Sequence, residues 1–337
     1  MAFDRSSDHE PETDLDDVLQ PGTALFHGQF RVGAYLNSGG FGITYLAKDR
    51  LNRDVVVKEC FLPTLCHRSQ TSVRARSEGS KPHLQKALSA FVVEAQTLAT
   101  LSHPNIVRVQ LLFEDNDTAY MALDHIKGHD LLEIIDEKKA TLTPDQIVAM
   151  ARKLVSAVGH IHDQNLLHCD ISPDNICVRP DGDPVLIDFG SARKLVDGRG
   201  EKHAGFSMVK DGYSPPELYA AAGTPGPFSD IYALGASLYH AVSGIAPADG
   251  QTRLTAVSEG RPDPVTPLAG VFPGYPPGFL AAIDKALSVQ PSARHQSAQG
   301  WLQMLDRPVV TVHRNVALLR RVAASPARAM ESQAQSA

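Results

Sequence analysis

The spacing of apolar residues changes period partway along this chain, and that change constrains the fold class more than any other feature. The first third is patterned for strands. Phe30, Val32 and Tyr35, then Ile43, Tyr45 and Ala47, predict two short strands joined through Asn37-Ser38-Gly39-Gly40-Phe41-Gly42. Asp54-Val55-Val56-Val57-Lys58 is a β-branched strand, and strands are expected over 107–113 and 119–123, around a turn at Asp115-Asn116-Asp117. A helix over about 88–101 interrupts them. From Thr143 the repeat is helical. Thr143 is a good N-cap, Pro144 suits the first helical position, and Gln146 completes a capping box. Ile147, Ala151, Leu154, Val155, Val158 and Ile161 then keep helical spacing. Short strands near 176–178 and 185–187 and helices at 230–243 and 278–287 follow. Without internal repeats, the order predicts an α+β chain of two lobes, a small β-rich one and a larger helical one.

Composition sets outer bounds. At 337 residues, 43% hydrophobic and 21% charged, the chain is too apolar to be disordered and too charged for a membrane bundle. The net charge of -6 argues against a nucleic-acid partner. It is unevenly spread: residues 1–20 carry seven acids and one arginine, whereas 307–337 carry five arginines and one acid. Residues 1–28 therefore read as an acidic, mostly disordered arm, and 307–337 as a basic tail. Either end could recruit a partner, or the two could pair with each other. The basic stretch 63–88 (Arg68, Arg74, Arg76, Lys81, Lys86) reads as an irregular, exposed insertion. The acidic start predicts no signal peptide. The uncharged stretches 231–248 and 264–283 are too polar or too proline-rich to span a membrane. Four cysteines with no zinc spacing fit free thiols in a cytoplasmic protein.

Four groups of residues carry the chemistry. The glycine-rich turn lets backbone N–H groups approach phosphate oxygens, although alone it reads equally well as a hairpin loop. Lys58 ends a strand and shares a face with Val56. Glu94 lies among Phe91, Ala95, Leu98 and Leu101, on the apolar stripe of its helix, where a carboxylate needs a cationic partner. Lys58 is the candidate. The third group is His168-Cys169-Asp170-Ile171-Ser172-Pro173-Asp174-Asn175. The fourth is Asp188-Phe189-Gly190, straight after an apolar strand, where an acid escapes the core while the strand fixes its position. Mg²⁺ takes one or two such carboxylates plus substrate phosphates. Each group alone has a plain structural reading; the four in this order do not share one.

In that order the chain resembles a serine/threonine protein kinase of the eukaryotic-like (Hanks-type) kind found in bacteria, from about residue 30 to 305. The resemblance implies a bilobal protein-kinase-like fold, with a kinase domain over 29–306 divided into an N-lobe (29–123), a hinge (124–128) and a C-lobe (129–306). It implies ATP-dependent phosphorylation of Ser/Thr in protein substrates, autophosphorylation included, as part of signalling. Mg²⁺ is the implied metal, with Mn²⁺ as an alternative. Asp170 would take the hydroxyl proton, Lys58 would contact the phosphates with Glu94 behind it, and Asn175 and Asp188 would hold the metal. Asn37, Ser38, Gly39, Gly40, Phe41 and Gly42 would cover the phosphates. Thr44, Val56 and Cys177 would sandwich adenine, with Leu123 as gatekeeper and the backbones of Asp124 and Ile126 reading the base. Leu98, Val109, His168 and Phe189 match the hydrophobic spine. Gly212-Tyr213-Ser214-Pro215-Pro216-Glu217 matches the shelf for a peptide substrate, and Asp230 and Arg294 match residues that brace the catalytic loop and Glu217.

The chain departs from the family pattern in four places. Asn37 replaces the first glycine of the loop, where its tolerance of left-handed backbone would preserve the turn. Thr44 replaces the usual valine. Cys169 replaces the arginine that binds a phosphate on the activation loop, which argues against activation by loop phosphorylation, although Ser191, Ser207 and Thr224 are available as autophosphorylation sites. Ser172 replaces the lysine that helps bind the transferred phosphate. Lys210, seven residues before Glu217, is the candidate to restore that charge; its plain reading is a solvated loop lysine. Asn37, Cys169 and Ser172 keep open a pseudokinase or scaffold that binds nucleotide without turnover. A small-molecule phosphotransferase of related fold would lack the 212–217 shelf.

Overall fold

The computed structural model describes residues 17–39, 42–137, 141–196, 199–200, 209–220 and 223–306. Residues 1–305 form one compact unit; of the second, 306–337, only Asp306 is described. The strand pattern produces a six-stranded antiparallel sheet in the order β1-β2-β3-β4-β8-β7. Its strands are β1 (Ala24–Leu25), β2 (Phe30–Gly39), β3 (Gly42–Asp49) and β4 (Asp54–Glu59), then, beyond a separate hairpin of β5 (Cys66–Ser69) and β6 (Ser72–Ala75) and helix α1 (Lys81–Leu98), β7 (Val109–Asp115) and β8 (Thr118–Asp124).

Because neighbouring residues of a strand face opposite ways, this sheet has two different surfaces. Val55, Val57, Tyr45, Tyr120 and Ala122 are buried on one side, in a cluster with Phe30, Val32 and Phe61. The register pairs Thr44 with Lys58 and Val56 with both Leu46 and Leu123, which puts these residues together on the other side.

The segment 17–28 does not behave as a solvated arm. Leu19 and Leu25 are buried, β1 pairs with β2, and Leu19 N–H donates to Tyr45 Oη at 3.1 Å. The reason is local: the acids of this end lie almost wholly in 1–16, outside the described residues, and Asp17 is the only one in 17–28. The stretch 63–88 is not an irregular, exposed insertion either. Cys66 and Val73 are buried in the β5–β6 hairpin, and Arg68 is neutralised inside it by Glu59. Helix α1 starts at Lys81, earlier than the apolar spacing suggests, because its first turns bury only Leu84.

The rest is mainly helical: β9 (His129–Asp130), α2 (Leu131–Asp136), α3 (Pro144–Asp163), β10 (Leu166–Leu167), β11 (Ile176–Val178), β12 (Pro184–Leu186), β13 (Arg193–Val196), β14 (Arg199–Gly200), α4 (Pro227–Ser243), α5 (Gly250–Ser258), α6 (Phe279–Ala286) and α7 (Ala298–Asp306). The capping box at α3 forms as expected, Thr143 and Gln146 each bonding the other's backbone N–H. Helix α4 is buried from Ser229 through His240, as the uncharged run requires of a core helix. Among the described residues, no helix is long and apolar enough to cross a membrane. Strand β7 begins at Val109, later than expected, because Val107 N–H is spent on the Leu186 carbonyl and Leu186 N–H on that of Asn105. These bonds join the two lobes beside the site.

Candidate active site

The strand lysine and the acid of the Asp-Phe-Gly turn meet. Lys58 Nζ donates to Asp188 Oδ1 at 2.8 Å and lies 3.6 Å from Glu94 Oε1. The Lys58–Glu94 pairing expected from the apolar stripe is therefore present as an ion pair, but the shorter bond goes to Asp188. Burial works to lower the lysine pKa, yet Asp188 and Glu94 more than offset it and hold the ammonium charged. Lys58 in turn pulls Asp188 down to about 2 against the opposing effect of burial. Asp188 has φ +55 and its Oδ1 also accepts from Gly190 N–H at 3.1 Å. Both bonds use Oδ1, so Oδ2 is left for another ligand.

The catalytic-loop motif is held from beneath by Asp230 of α4, which is 1% exposed. Its carboxylate accepts from the backbone N–H groups of His168 at 2.9 Å and Cys169 at 2.8 Å, and lies 2.9 Å from His162 Nε2. These bonds fix Cys169 at φ +62, a left-handed backbone that a cysteine would otherwise avoid. His162 is a partner that the sequence reading missed; it sits at the end of α3, facing α4, and no spacing rule points to it. The His168 and Phe189 rings pack 4.5 Å apart, and Leu98 and Val109 join the same cluster.

Asn175 Nδ2 donates to the Asp170 carbonyl at 2.9 Å and to its Oδ2 at 3.0 Å, and the Asn175 carbonyl accepts from Ile187 N–H at 3.0 Å. One residue thereby ties Asp170 to the backbone of Ile187, next to Asp188. Burial raises the Asp170 carboxyl to about 6, with Lys210 pulling the other way.

Lys210 is not a solvated loop lysine. Its Nζ donates to Ser172 Oγ at 2.9 Å and to Asp174 Oδ2 at 2.8 Å, and lies 3.4 Å from Asp170 Oδ1. A cation from the activation segment stands where the catalytic loop has Ser172 in place of a lysine. Asp174 as its second anchor was missed, although it stands in the 168–175 motif. At the far end of that segment, Arg294 gives bonds of 2.7 and 2.9 Å to Glu217, and is 2% exposed.

Of the nucleotide-contact set, Thr44, Val56 and Leu123 share the cleft face of the sheet with Lys58. Cys177 Sγ reaches the Ile126 carbonyl at 3.7 Å across the hinge, and Asp124 N–H is committed to the Arg108 carbonyl at 3.0 Å. Asn37 and Ser38 lie in β2, and Asn37 does not take up left-handed backbone, contrary to the sequence reading; the strand simply runs on to Gly39. The strained position is Gly42, at φ +155, where a Cβ would come within 2.1 Å of the Glu59 carbonyl. Gly40, Phe41 and Ser207 lie outside the described residues.

The chain is similar to known proteins. The protein kinase domain family model matches residues 30–300. The chain is 28% identical over 274 residues to the serine/threonine-protein kinase PrkC of Bacillus subtilis, a match covering 81% of this chain and 39% of that protein. It is 30% identical over 276 residues to PknA of Mycobacterium tuberculosis, covering 80% and 59%. It thus spans less than two thirds of the length of these curated relatives. The solved structure of the apo form of PpkA-294 superimposes with a TM-score of 0.71 at 31% identity, covering 86% of this chain and all of that one. The fold, the motif order and these matches agree that the chain belongs to the protein kinase domain family, in its bacterial serine/threonine branch.

Proposed function

We propose that the chain is an active protein kinase that transfers the γ-phosphoryl group of ATP to Ser/Thr hydroxyls of protein substrates, itself included. The observation that carries this over a nucleotide-binding scaffold is Lys210, which puts a cation 2.9 Å from Ser172, the residue whose identity most favoured a scaffold. The Asp170 carboxylate accepts the proton of the substrate hydroxyl. The hydroxyl oxygen then bonds to the γ-phosphorus as the bond to the β–γ bridging oxygen breaks, and ADP leaves. Lys58 binds the α- and β-phosphates, and Lys210 offsets charge on the group in transfer. Thr44, Val56 and Cys177 enclose adenine beneath Leu123. With its N–H already used, Asp124 has its carbonyl for the base, and Ile126 supplies the other backbone contact.

The donor set fits Mg²⁺, or Mn²⁺ in its place. The bonds at Asp188 use Oδ1 and those at Asn175 use Nδ2, so Asp188 Oδ2 and Asn175 Oδ1 are two hard oxygen ligands. No cluster of three or more His, Cys, Asp or Glu that could hold a metal occurs among the described residues, so the phosphates would complete the shell. When bound, the metal supplies charge neutralisation at the phosphates. Four free, buried cysteines support a cytoplasmic setting.

Intact-mass and peptide mass spectrometry after incubation with Mg-ATP, alone and with a generic protein acceptor, tests the reading. Phosphate on Ser or Thr is expected; nucleotide binding with no transfer would restore the scaffold. Lys210→Ala should lower kcat by about 10²–10³-fold, as loss of one charge-stabilising donor does. A near wild-type kcat with folding intact would return Lys210 to a structural role. The pH profile follows from Asp170. A protonated carboxyl cannot take the hydroxyl proton, so kcat/KM should rise with pH through about 6 and be lost as pH falls through it. A flat profile across that range would mean that another group is the base.

A further inference from the structure

Tyr213, His240 and Asp136 have no part in the chemistry above, yet they are joined side chain to side chain. Tyr213 Oη lies 2.8 Å from His240 Nδ1, and His240 Nε2 lies 3.5 Å from Asp136 Oδ1. They come from three separate places: the activation segment, the core helix α4, and the last residue of α2. The His240 side chain is 5% exposed, so its ring nitrogens depend on protein partners, whereas Asp136 is 56% exposed and stays at the solvent edge. Burial holds the His240 pKa below its ordinary value, with Asp136 pulling against it, so the ring is neutral near pH 7. One tautomer then serves both neighbours. Nδ1 accepts from the Tyr213 hydroxyl, and the protonated Nε2 lies on the side of the Asp136 carboxylate, 3.5 Å away.

The other end of the chain of contacts is Lys210. Tyr213 N–H and Ser214 N–H both donate to the Lys210 carbonyl, at 3.0 and 2.9 Å, and Lys210 N–H donates to Ser214 Oγ at 2.8 Å. Residues 210–214 are thus one closed turn. Gly212 within it has φ +85, and a Cβ there would meet the Pro247 carbonyl at 2.9 Å, so the turn is pressed onto the loop after α4. Tyr213 anchors this turn on α4, while the Lys210 side chain leaves it toward Ser172, Asp174 and Asp170.

We propose that His240 and Tyr213 are positioning residues, a hydrogen-bonded pair backed by the Asp136 carboxylate at 3.5 Å, that hold the 210–214 turn and through it keep the Lys210 ammonium at the catalytic loop. The inference rests on the reading of Lys210 given above and deepens it. It supplies the activation segment with an anchor that needs no phosphate, in a chain where Cys169 stands in place of the phosphate-binding arginine.

Competitive labelling of amines in the full chain, read by peptide mass spectrometry without nucleotide, tests this independently of turnover. In Tyr213→Phe and His240→Leu, the labelling rate of Lys210 should rise about fivefold, the worth of one ordinary hydrogen bond, with Lys58 unchanged. His240→Gln should stay near wild type, because its amide oxygen can accept from the Tyr213 hydroxyl. Tyr213→Phe removes one hydroxyl and keeps the ring, so it decides the matter if His240→Leu does not fold. Unchanged Lys210 labelling in Tyr213→Phe would overturn the proposal, whatever the activity. The expected labelling in a wild-type chain that transfers no phosphate would support the positioning role and count against the kinase reading alone.

Discussion

Asp170→Asn is expected to lower phosphoryl transfer by about 10²–10⁴-fold, the range for loss of a positioned general base, with nucleotide affinity nearly unchanged. The substitution is isosteric. Asn175 Nδ2 can still donate to the side-chain oxygen that it now reaches at 3.0 Å, and Lys210 keeps Asp174 at 2.8 Å. What disappears is the basic oxygen, and with it the group that burial has raised toward the pH of the reaction. Phosphate incorporated into the intact chain, measured beside equilibrium binding of a nucleotide, separates the two effects. Substantial turnover in the variant would pass the proton to another residue and remove Asp170 from the mechanism.

The largest expected loss of stability lies away from the chemistry. Arg68→Ala should destabilise the N-lobe by about 3–5 kcal/mol, because it leaves the Glu59 carboxylate buried without its cation. Glu59 is fully buried and the Arg68 side chain is 2% exposed. Arg68 gives Glu59 two bonds, at 3.0 and 2.6 Å, and the hydroxyls of Tyr45 and Tyr120 donate to the same carboxylate at 2.9 and 2.8 Å. Burial, and then the Glu59 charge, push both phenols well above their ordinary pKa, so neither can ionise to compete. Arg68 also bonds the Asp17 and Thr71 carbonyls, which draws the N-terminal segment and the hairpin onto the sheet. Urea unfolding gives the loss directly. The double variant Arg68→Met/Glu59→Gln should recover part of it, since it removes the unpaired charge while the amide oxygen still accepts from the tyrosine hydroxyls. If the double variant is as unstable as the single one, packing and not charge is responsible.

This hub shows where reading a sequence reaches its limit. Glu94 and Asp188 were legible because each breaks a local rule: a charge on an apolar stripe, and an acid just past a strand end. Lys58 followed as the partner Glu94 needs, and Asp170 from the order of the motifs. Arg68 breaks none. It sits in a run of bases, which ordinarily means a solvated face, and its partner lies across a loop and a turn of chain. Asp230 was legible only through the family resemblance. Near the start of a helix an acid is expected for the helix's own sake, so its bonds to the catalytic loop leave no trace in spacing. Tyr213 and His240 look like ordinary members of a shelf and a core helix, and only the crossing of α4 with the activation segment joins them. Lys210 lay between these cases. The missing lysine at Ser172 raised the question, and the closed 210–214 turn supplied the geometry.

The two neighbours on β4, Lys58 and Glu59, face opposite ways, one to Asp188 and the other to Arg68. That alternation guards the sheet against a slip of register. A slip of one residue would turn the carboxylate into the cleft, beside Asp188 and Glu94, and drive the ammonium into the core against Arg68. Both faces of the misplaced strand would then set like charges together, one pair of them away from water. An apolar strand in the same place would slip at far lower cost. By seating opposite charges on consecutive residues, the chain makes the misregistered sheet a poor kinetic trap and leaves the productive pairing without a close competitor.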